Sequence, residues 1–229
     1  MAVTIGNARI SEFGTVKGKR GDQTGKEVMT QPFSTGGKWE YCIRPETEAV
    51  AKKIATAMKQ ACANNNIGYS QTDRTSLYNA AVKVNFDLSK VGKCNCDCSA
   101  LVAVCVNAAG INVSPFMYSG NELALLKATG KFTVITGADQ CKKGKNLRAG
   151  DILLRKGHTA IVTQGDIAFT TKKTTKKKTV EQIAKEIVEG KCSDSRWKTW
   201  GVGATRKARL KKAGYDYKAV QKAVNKLMK

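Results

Sequence analysis

A cysteine and a histidine in this chain have the types and the local surroundings of a nucleophile and its base. Cys98 stands in Cys-Asp-Cys-Ser-Ala-Leu-Val, at the predicted start of an apolar helix, and the sole histidine, His158, stands in Gly-His-Thr-Ala-Ile-Val. Free N–H groups at a helix start stabilise a thiolate, and an imidazole can take the thiol proton and return it to a leaving amine. We therefore predict a catalytic pair, with the backbone N–H of Cys98 in the oxyanion hole.

Structural interpretations of the same two residues remain open at this stage. A cysteine and a histidine sixty positions apart occur together by chance in many proteins. Cys98 is then a small buried residue, and His158 is a histidine at a strand edge whose ring is hydrogen-bonded.

The other cysteines favour packing over metal binding. A metal site at Cys94, Cys96 and Cys98 would need further ligands, and one histidine with scattered cysteines supplies few of them, so we expect no metal and no cofactor. The chain is long and lacks a secretory leader, so we expect mostly free thiols, with Cys62 and Cys105 in the core. A disulfide within the cysteine cluster remains an alternative.

Hydrophobic periodicity and capping residues predict the elements that position the pair. The order of helices followed by strands indicates an α+β fold. Strand-like pieces are predicted at 3–5 and 39–44, helices at 46–63, 98–109 and 122–128, and strands at 132–135, 151–154 and 159–163.

Residues 170–178, rich in lysine and threonine, read as an extended linker, because they carry no apolar anchor and their charges repel one another. Thr179 and Gln182 then form a capping-box pattern before an apolar-periodic helix. We predict a catalytic domain over 1–169, the linker over 170–178, and a small helical module over 179–229.

The net charge of +22, of which +13 falls in residues 170–229, attracts polyanions such as nucleic acid or an anionic bacterial wall. A solvated lysine-rich surface without a partner is the alternative. No apolar run approaches the ~20 residues of a membrane span. The N-terminal residues lack a basic start followed by an apolar stretch, so we expect no secretory signal.

Two segments resemble the NlpC-type cell-wall cysteine peptidases, a papain-like family. Asp97-Cys98-Ser99-Ala100-Leu101-Val102 is similar to the word that carries the nucleophile, and Leu-Arg-Ala-Gly-Asp-Ile-Leu-Leu with Gly-His-Thr-Ala-Ile-Val is similar to the paired strands. The resemblance covers roughly residues 45–165. It implies helices packed on an antiparallel sheet, with Cys98 as nucleophile and His158 as base.

The resemblance also implies a third polar residue that orients the histidine ring. Asp166 and Gln164 are the candidates nearest in sequence, and Asp22 or Gln23 could instead supply the third residue. A catalytic dyad without a third residue is the remaining alternative. Tyr69 resembles a tyrosine near the oxyanion, with core packing as its alternative role.

Residues 179–229 resemble the three-helix cell-wall-binding repeat at the ends of phage lysozymes and other endolysins, with an insertion at 192–199. The resemblance implies recognition of the muropeptide part of peptidoglycan. Trp200 and Tyr215 are candidates to stack on a sugar and Arg206 to meet a carboxylate, and a place in the module core is the alternative for both aromatic residues.

The two resemblances together imply a phage endolysin that cleaves a peptide bond in the peptidoglycan stem and binds anionic wall polymers. They also imply synthesis in the host bacterial cytoplasm without a signal peptide, and action on the cell wall after release. An N-acetylmuramoyl-L-alanine amidase with the same Cys/His chemistry is the first alternative. The second is a non-catalytic basic protein that binds cell walls or nucleic acid, although we expect no nucleic-acid partner.

Overall fold

A computed structural model describes residues 2–168, 178–194 and 196–228. The chain divides into two compact units, on either side of the boundary between residues 171 and 172. Of the linker predicted over 170–178, all but Lys178 lies outside the described residues.

The first unit contains eight strands and five helices among its described residues. The strands are β1 (Thr4–Ala8), β2 (Val28–Pro32), β3 (Tyr41–Pro45), β4 (Ile67–Tyr69), β5 (Cys94–Cys96), β6 (Phe132–Ile135), β7 (Ile152–Arg155) and β8 (His158–Gln164). The helices are α1 (Glu48–Ala63), α2 (Ser76–Lys83), α3 (Cys98–Ala108), α4 (Glu122–Ala128) and α5 (Ala138–Cys141).

Six strands form one antiparallel sheet in the order β2-β1-β8-β7-β3-β6. Strands β4 and β5 form a separate parallel pair. The predicted α+β fold with helices beside an antiparallel sheet is confirmed.

Helices α1 and α3 pack on one face of the six-stranded sheet, which we call the helix face. Helix α3 is apolar almost throughout, and every residue from Ser99 to Val106 is buried, which is typical of a helix enclosed on all sides. Gly6 of β1 lets α1 approach closely, because a Cβ at this position would lie 2.4 Å from Cγ of Met58.

A second apolar cluster covers the opposite face, which we call the far face. Its buried members are Ile5, Trp39, Cys42, Cys141, Leu147, Leu153, Ala160 and Val162. Successive side chains of a strand alternate between faces. In β8, Ile161 belongs to the helix-face cluster, whereas Ala160 and Val162 belong to the far face. The same alternation places the side chain of His158 on the far face.

The second unit contains α6 (Val180–Val188), α7 (Gly203–Lys212) and α8 (Tyr217–Leu227) among its described residues. The predicted capping box is present, since the Thr179 hydroxyl accepts the N–H of Gln182 and the Gln182 side chain accepts the N–H of Thr179. The small core of this unit comprises Ile183, Ala184, Trp200, Leu210, Val220 and Val224. No helix in the described parts of either unit is long and apolar enough to span a membrane.

Candidate active site

Cys98 is the first residue of α3, as the sequence predicts, and Asp97 caps this helix. Oδ1 of Asp97 accepts the backbone N–H of Ala100 at 2.7 Å, the interaction that makes aspartate a favoured N-cap. The guanidinium of Arg74 forms a 2.6 Å ion pair with Asp97 and also donates to the carbonyl of Met117. The cap therefore fixes the start of α3 and ties it to the loop before α4.

The thiol of Cys98 is half-buried and protonated at neutral pH. Burial raises its pKa to about 11, and the Asp97 carboxylate adds to the increase, against the opposing effect of the backbone N–H groups of Thr159 and Ser99. The helix start alone does not produce a thiolate in this conformation, so the site needs a base.

Tyr69 lies beside this thiol. It ends β4, is 4 % exposed, and its hydroxyl oxygen accepts the Gln71 side-chain amide at 3.0 Å. Burial raises the pKa of Tyr69, and the neighbouring Cys98 and Asp97 groups add to the increase. Tyr69 is thus a core residue that also belongs to the surroundings of the thiol.

Glu122, at the start of α4, is a buried acid that sequence reasoning did not single out as functional. Burial raises its pKa to about 8, so it is mostly protonated at neutral pH. Oγ1 of Thr159 lies 2.7 Å from Oε1 of Glu122 and 3.1 Å from the carbonyl of Leu153. A hydroxyl has one proton, and a protonated Glu122 allows both contacts to be hydrogen bonds. Glu122 thereby fixes the residue whose backbone N–H faces the thiol.

The imidazole of His158 lies on the far face, stacked on Trp39 with ring centroids 5.7 Å apart and planes 25° apart. Burial, and to a smaller extent the guanidinium groups of Arg155 and Arg9, lower its pKa to about 4. The ring is therefore neutral at pH 7, the state in which it can accept a proton.

The structure brings the thiol to the start of the strand that carries His158, but it does not bring the two side chains into contact. The sulfur of Cys98 faces the backbone N–H of Thr159, the next residue after His158. No hydrogen bond joins the sulfur to the imidazole among the described residues. The thiol–imidazole contact therefore remains a prediction.

The candidates for the third residue form hydrogen bonds elsewhere in this conformation. Asp166 accepts the backbone N–H groups of Asn146 and Leu147 at 2.8 and 2.7 Å. It follows the last residue of β8, whereas His158 is the first, and a strand of this length separates its ends by about 20 Å. Gln164, the last residue of the same strand, donates to the carbonyl of Ala2.

Asp22 and Gln23 do not orient the ring either. The Asp22 carboxylate accepts backbone N–H groups along its own loop, among them those of Gly25 and Val28. The Gln23 amide donates to the carbonyl of Gly21.

Both aromatic side chains that were predicted to stack on a sugar pack in or against the core of the second unit. Trp200 is 2 % exposed, its Nε1 donates to Glu186 at 2.9 Å, and its ring packs edge-on against half-buried Tyr215. Trp200 thus lies in the core of the second unit, the alternative role given for it above. Arg206 donates to the carbonyl of Gly201 and to the side chain of Gln221, which commits two of its N–H groups.

The cysteines show no bridging. All eight are free thiols, and no group of three or more His, Cys, Asp or Glu side chains within the described ranges could hold a metal ion. Burial raises the pKa of Cys94 to about 12 and that of Cys96 well above its usual value, so both behave as core residues.

Comparison with protein families places both units. The profile of the endolysin-like domain matches residues 5–168, and that of the CW_7 repeat matches residues 181–228. No curated protein and no solved structure matches the chain. The first match covers more than half of the chain and contains both Cys98 and His158, and the second supports cell-wall binding. The chain therefore belongs to the endolysin-like domain family and carries a CW_7 cell-wall repeat behind that domain.

Proposed function

We propose that this endolysin hydrolyses a peptide bond in the peptidoglycan stem, with Cys98 as nucleophile and His158 as base. One observation carries the proposal. Within the endolysin-like unit, the only histidine, His158, directly precedes Thr159, and the backbone N–H of Thr159 faces the thiol of Cys98 at the start of α3. Such a thiol, once deprotonated, is a strong nucleophile.

A rotation of the His158 side chain off Trp39 completes the pair. His158 directly precedes Thr159, whose backbone N–H faces the sulfur, and an imidazole can turn about χ1 between staggered positions. The ring is held in its resting position by stacking, without a hydrogen bond among the described residues, so this rotation breaks no hydrogen bond of the ring.

The reaction then follows the order of acyl transfer. The thiol proton passes to the imidazole while Sγ bonds to the carbonyl carbon of the substrate. The backbone N–H of Cys98, at the first turn of α3, has no partner within the helix and donates to the oxyanion. The C–N bond breaks, the imidazolium gives its proton to the leaving amine, and a thioester remains. Water, deprotonated by His158, hydrolyses the thioester and restores the thiol.

The second unit holds the enzyme on its insoluble substrate. The match to the CW_7 repeat and the excess of positive charge in residues 170–229 both favour retention on an anionic wall. Tethering raises the effective concentration of the catalytic unit near the wall. We also propose synthesis in the cytoplasm of the bacterial host and action after release.

Mass spectrometry of the fragments released from purified cell walls tests the proposal. Cleavage of a stem peptide leaves new peptide amino and carboxyl termini, whereas an amidase separates the lactyl group of muramic acid from L-alanine. We expect peptide termini from the wild type and none from Cys98→Ser. Cys192→Ser, the same change at a half-buried cysteine of the second unit, is the matched control and should release the wild-type products.

Release of lactyl-terminated glycans would show that the enzyme is an amidase and not an endopeptidase. Undiminished release by Cys98→Ser would refute the assigned nucleophile. Absence of any release, combined with salt-dependent binding of the wild type to DNA and not to walls, would favour the non-catalytic alternative.

A further inference from the structure

A cleft of about 370 Å³ opens on the far face of the sheet, beside the resting position of His158. It is lined by Ile5, Asn7, Arg9, Gln31, Ser34, Gly37, Trp39, Arg155, Gly157 and His158. None of these described lining residues is acidic. The mechanism above uses only the imidazole, so the remaining polar groups of the cleft have no assigned role.

No contact among the described residues accounts for the buried side-chain amide of Asn7. It lies on β1, is 1 % exposed, and both its side-chain oxygen and its side-chain nitrogen lack a hydrogen-bond partner among the described residues. The Trp39 indole nitrogen, also in the cleft, is buried and likewise unpartnered there. Buried polar groups in native proteins are nearly always satisfied, so unpaired donors and an acceptor at one cleft point to a ligand.

The charge of the cleft selects the ligand class. The guanidinium of Arg155 lies 5.9 Å from the centre of the Trp39 ring, and Arg155 and Arg9 both place positive potential on the His158 ring. Neither arginine forms an ion pair with a carboxylate of the described residues. Arg9 donates one hydrogen bond to the sulfur of Met29, and Arg155 donates one to the carbonyl of Lys156. Two guanidinium groups without a carboxylate partner at one opening favour an anion.

We propose that this cleft binds a carboxylate of the peptidoglycan stem peptide, together with the amide adjoining it. The carboxylate pairs with Arg155 and Arg9, and the adjoining peptide group exchanges hydrogen bonds with the side chain of Asn7. A peptide carboxylate supplies both an acceptor and an N–H donor, which matches the two unpaired atoms of Asn7. Inorganic phosphate supplies no such amide. The identification of the ligand as a stem peptide rests on the proposed function.

The unique histidine gives a direct readout in the full chain. We would use the Cys98→Ala variant, which cannot cut the probe, and follow the imidazole signals by NMR across pH. The probe is the tetrapeptide L-Ala-γ-D-Glu-L-Lys-D-Ala, and its matched control is the same peptide amidated at both carboxyl groups. We expect the acid probe to shift the signals and to raise the pKa of His158 above its resting value of about 4, and the amidated probe to leave both unchanged.

Charge variants locate the contact. The double variant Arg155→Gln/Cys98→Ala should bind the acid probe about tenfold or more weakly than Cys98→Ala alone, since Arg155→Gln removes a charge-assisted hydrogen bond. Lys53→Gln removes one charge from α1, which packs against the opposite face of the sheet, and should leave binding unchanged.

Three results would overturn the proposal. The first is the absence of any shift with the acid probe, and the second is an equal shift with the amidated probe. The third is an equal response to inorganic phosphate or acetate, which would make the cleft a general anion site. Wall hydrolysis by the wild-type chain is measured separately, so a failure of the cleft proposal and a failure of the proposed function give different results.

Discussion

At the scale of single residues, the site combines groups that are all neutral at rest. The thiol of Cys98, the imidazole of His158 and the carboxyl of Glu122 each have a pKa shifted toward the uncharged form, chiefly by burial. An uncharged thiol and imidazole avoid the free-energy cost of burying two ions in a poorly hydrated environment. In our proposal, charge develops at the thiol and the imidazole only when substrate is attacked.

Glu122→Gln should increase the stability of the first unit at neutral pH. The folded pKa of Glu122 is about 8 and its ordinary value is 4.5. Below pH 4.5 both states hold the proton, and between 4.5 and about 8 only the unfolded chain loses it, so the free energy of unfolding falls as pH rises. Glutamine keeps a partner for Thr159 and cannot ionise.

Urea denaturation of both proteins across this pH range measures the difference, with Glu181→Gln at an exposed position of α6 as the control. The gain from Glu122→Gln should approach zero near pH 4.5 and grow toward pH 8. A gain of constant size, or a loss that grows with pH, would show that Glu122 is charged in the folded state.

At the scale of elements, the N-cap of α3 is the feature on which the position of the thiol depends. Asp97 both accepts the N–H of Ala100 and pairs with Arg74, whose side chain is only 20 % exposed. The same carboxylate raises the pKa of Cys98. Asp97 thus stabilises the helix start at the expense of the reactivity of the thiol.

Asp97→Ala should destabilise the first unit by about 2–4 kcal/mol, since it removes a cap and leaves a largely buried guanidinium unpaired.

Asp97→Asn retains the cap and should cost less, while removal of the charge lowers the pKa of Cys98. Alkylation by iodoacetamide at neutral pH, mapped by mass spectrometry, should therefore be faster at Cys98 in Asp97→Asn than in the wild type. Cys192 provides the internal reference, and an unchanged rate ratio would contradict the assigned electrostatic effect.

Elements with a strong local signal could be predicted from the sequence. Asp97 before an apolar run predicted the start of α3. The observed bounds of α4 and β6 agree with the predicted ones, and the predicted capping box of α6 is present. Strand β2 and helix α2 were not predicted, because the alternation in β2 is broken by Pro32 and the run that forms α2 is short and mixed in polarity.

The geometry of the site could be predicted only in part. The sequence identified Cys98 and placed His158 at the start of a strand, but it could not state which face the imidazole would occupy, because that depends on strand register. Asn7 and Glu122 carried no local signal, since their environments are created by distant partners such as Trp39 and Thr159. The role of Trp200 could not be decided from the sequence, because an aromatic residue near a loop is compatible with either a core or a binding surface.

At the scale of the whole molecule, the two units have separate cores and separate tasks. The clusters that stabilise the sheet and its helices involve no described residue of the second unit, and the core of the second unit is built only from its own residues. Separate cores indicate that each unit can fold alone.

A chain ending at residue 171 should therefore retain hydrolysis of soluble muropeptides and lose retention on cell walls. Clearing of intact walls by this shortened chain should fall by about 10²-fold or more at low enzyme concentration, because tethering supplies that range of effective affinity. Co-sedimentation with walls and the rate of clearing measure the two effects. Equal clearing by the short and full chains would remove the wall-binding role from residues 172–229.

If the imidazole of His158 is the base for the thiol at the start of α3, its removal must slow hydrolysis, and the initial rate of fragment release from cell walls measures this. General base catalysis contributes about 10²–10⁴-fold, so His158→Ala should lose at least about a hundredfold, while Lys156→Gln, two residues away in the same hairpin turn, keeps the wild-type rate. Release by His158→Ala within a few-fold of the wild type, in a protein with an unchanged circular dichroism spectrum, would contradict the account.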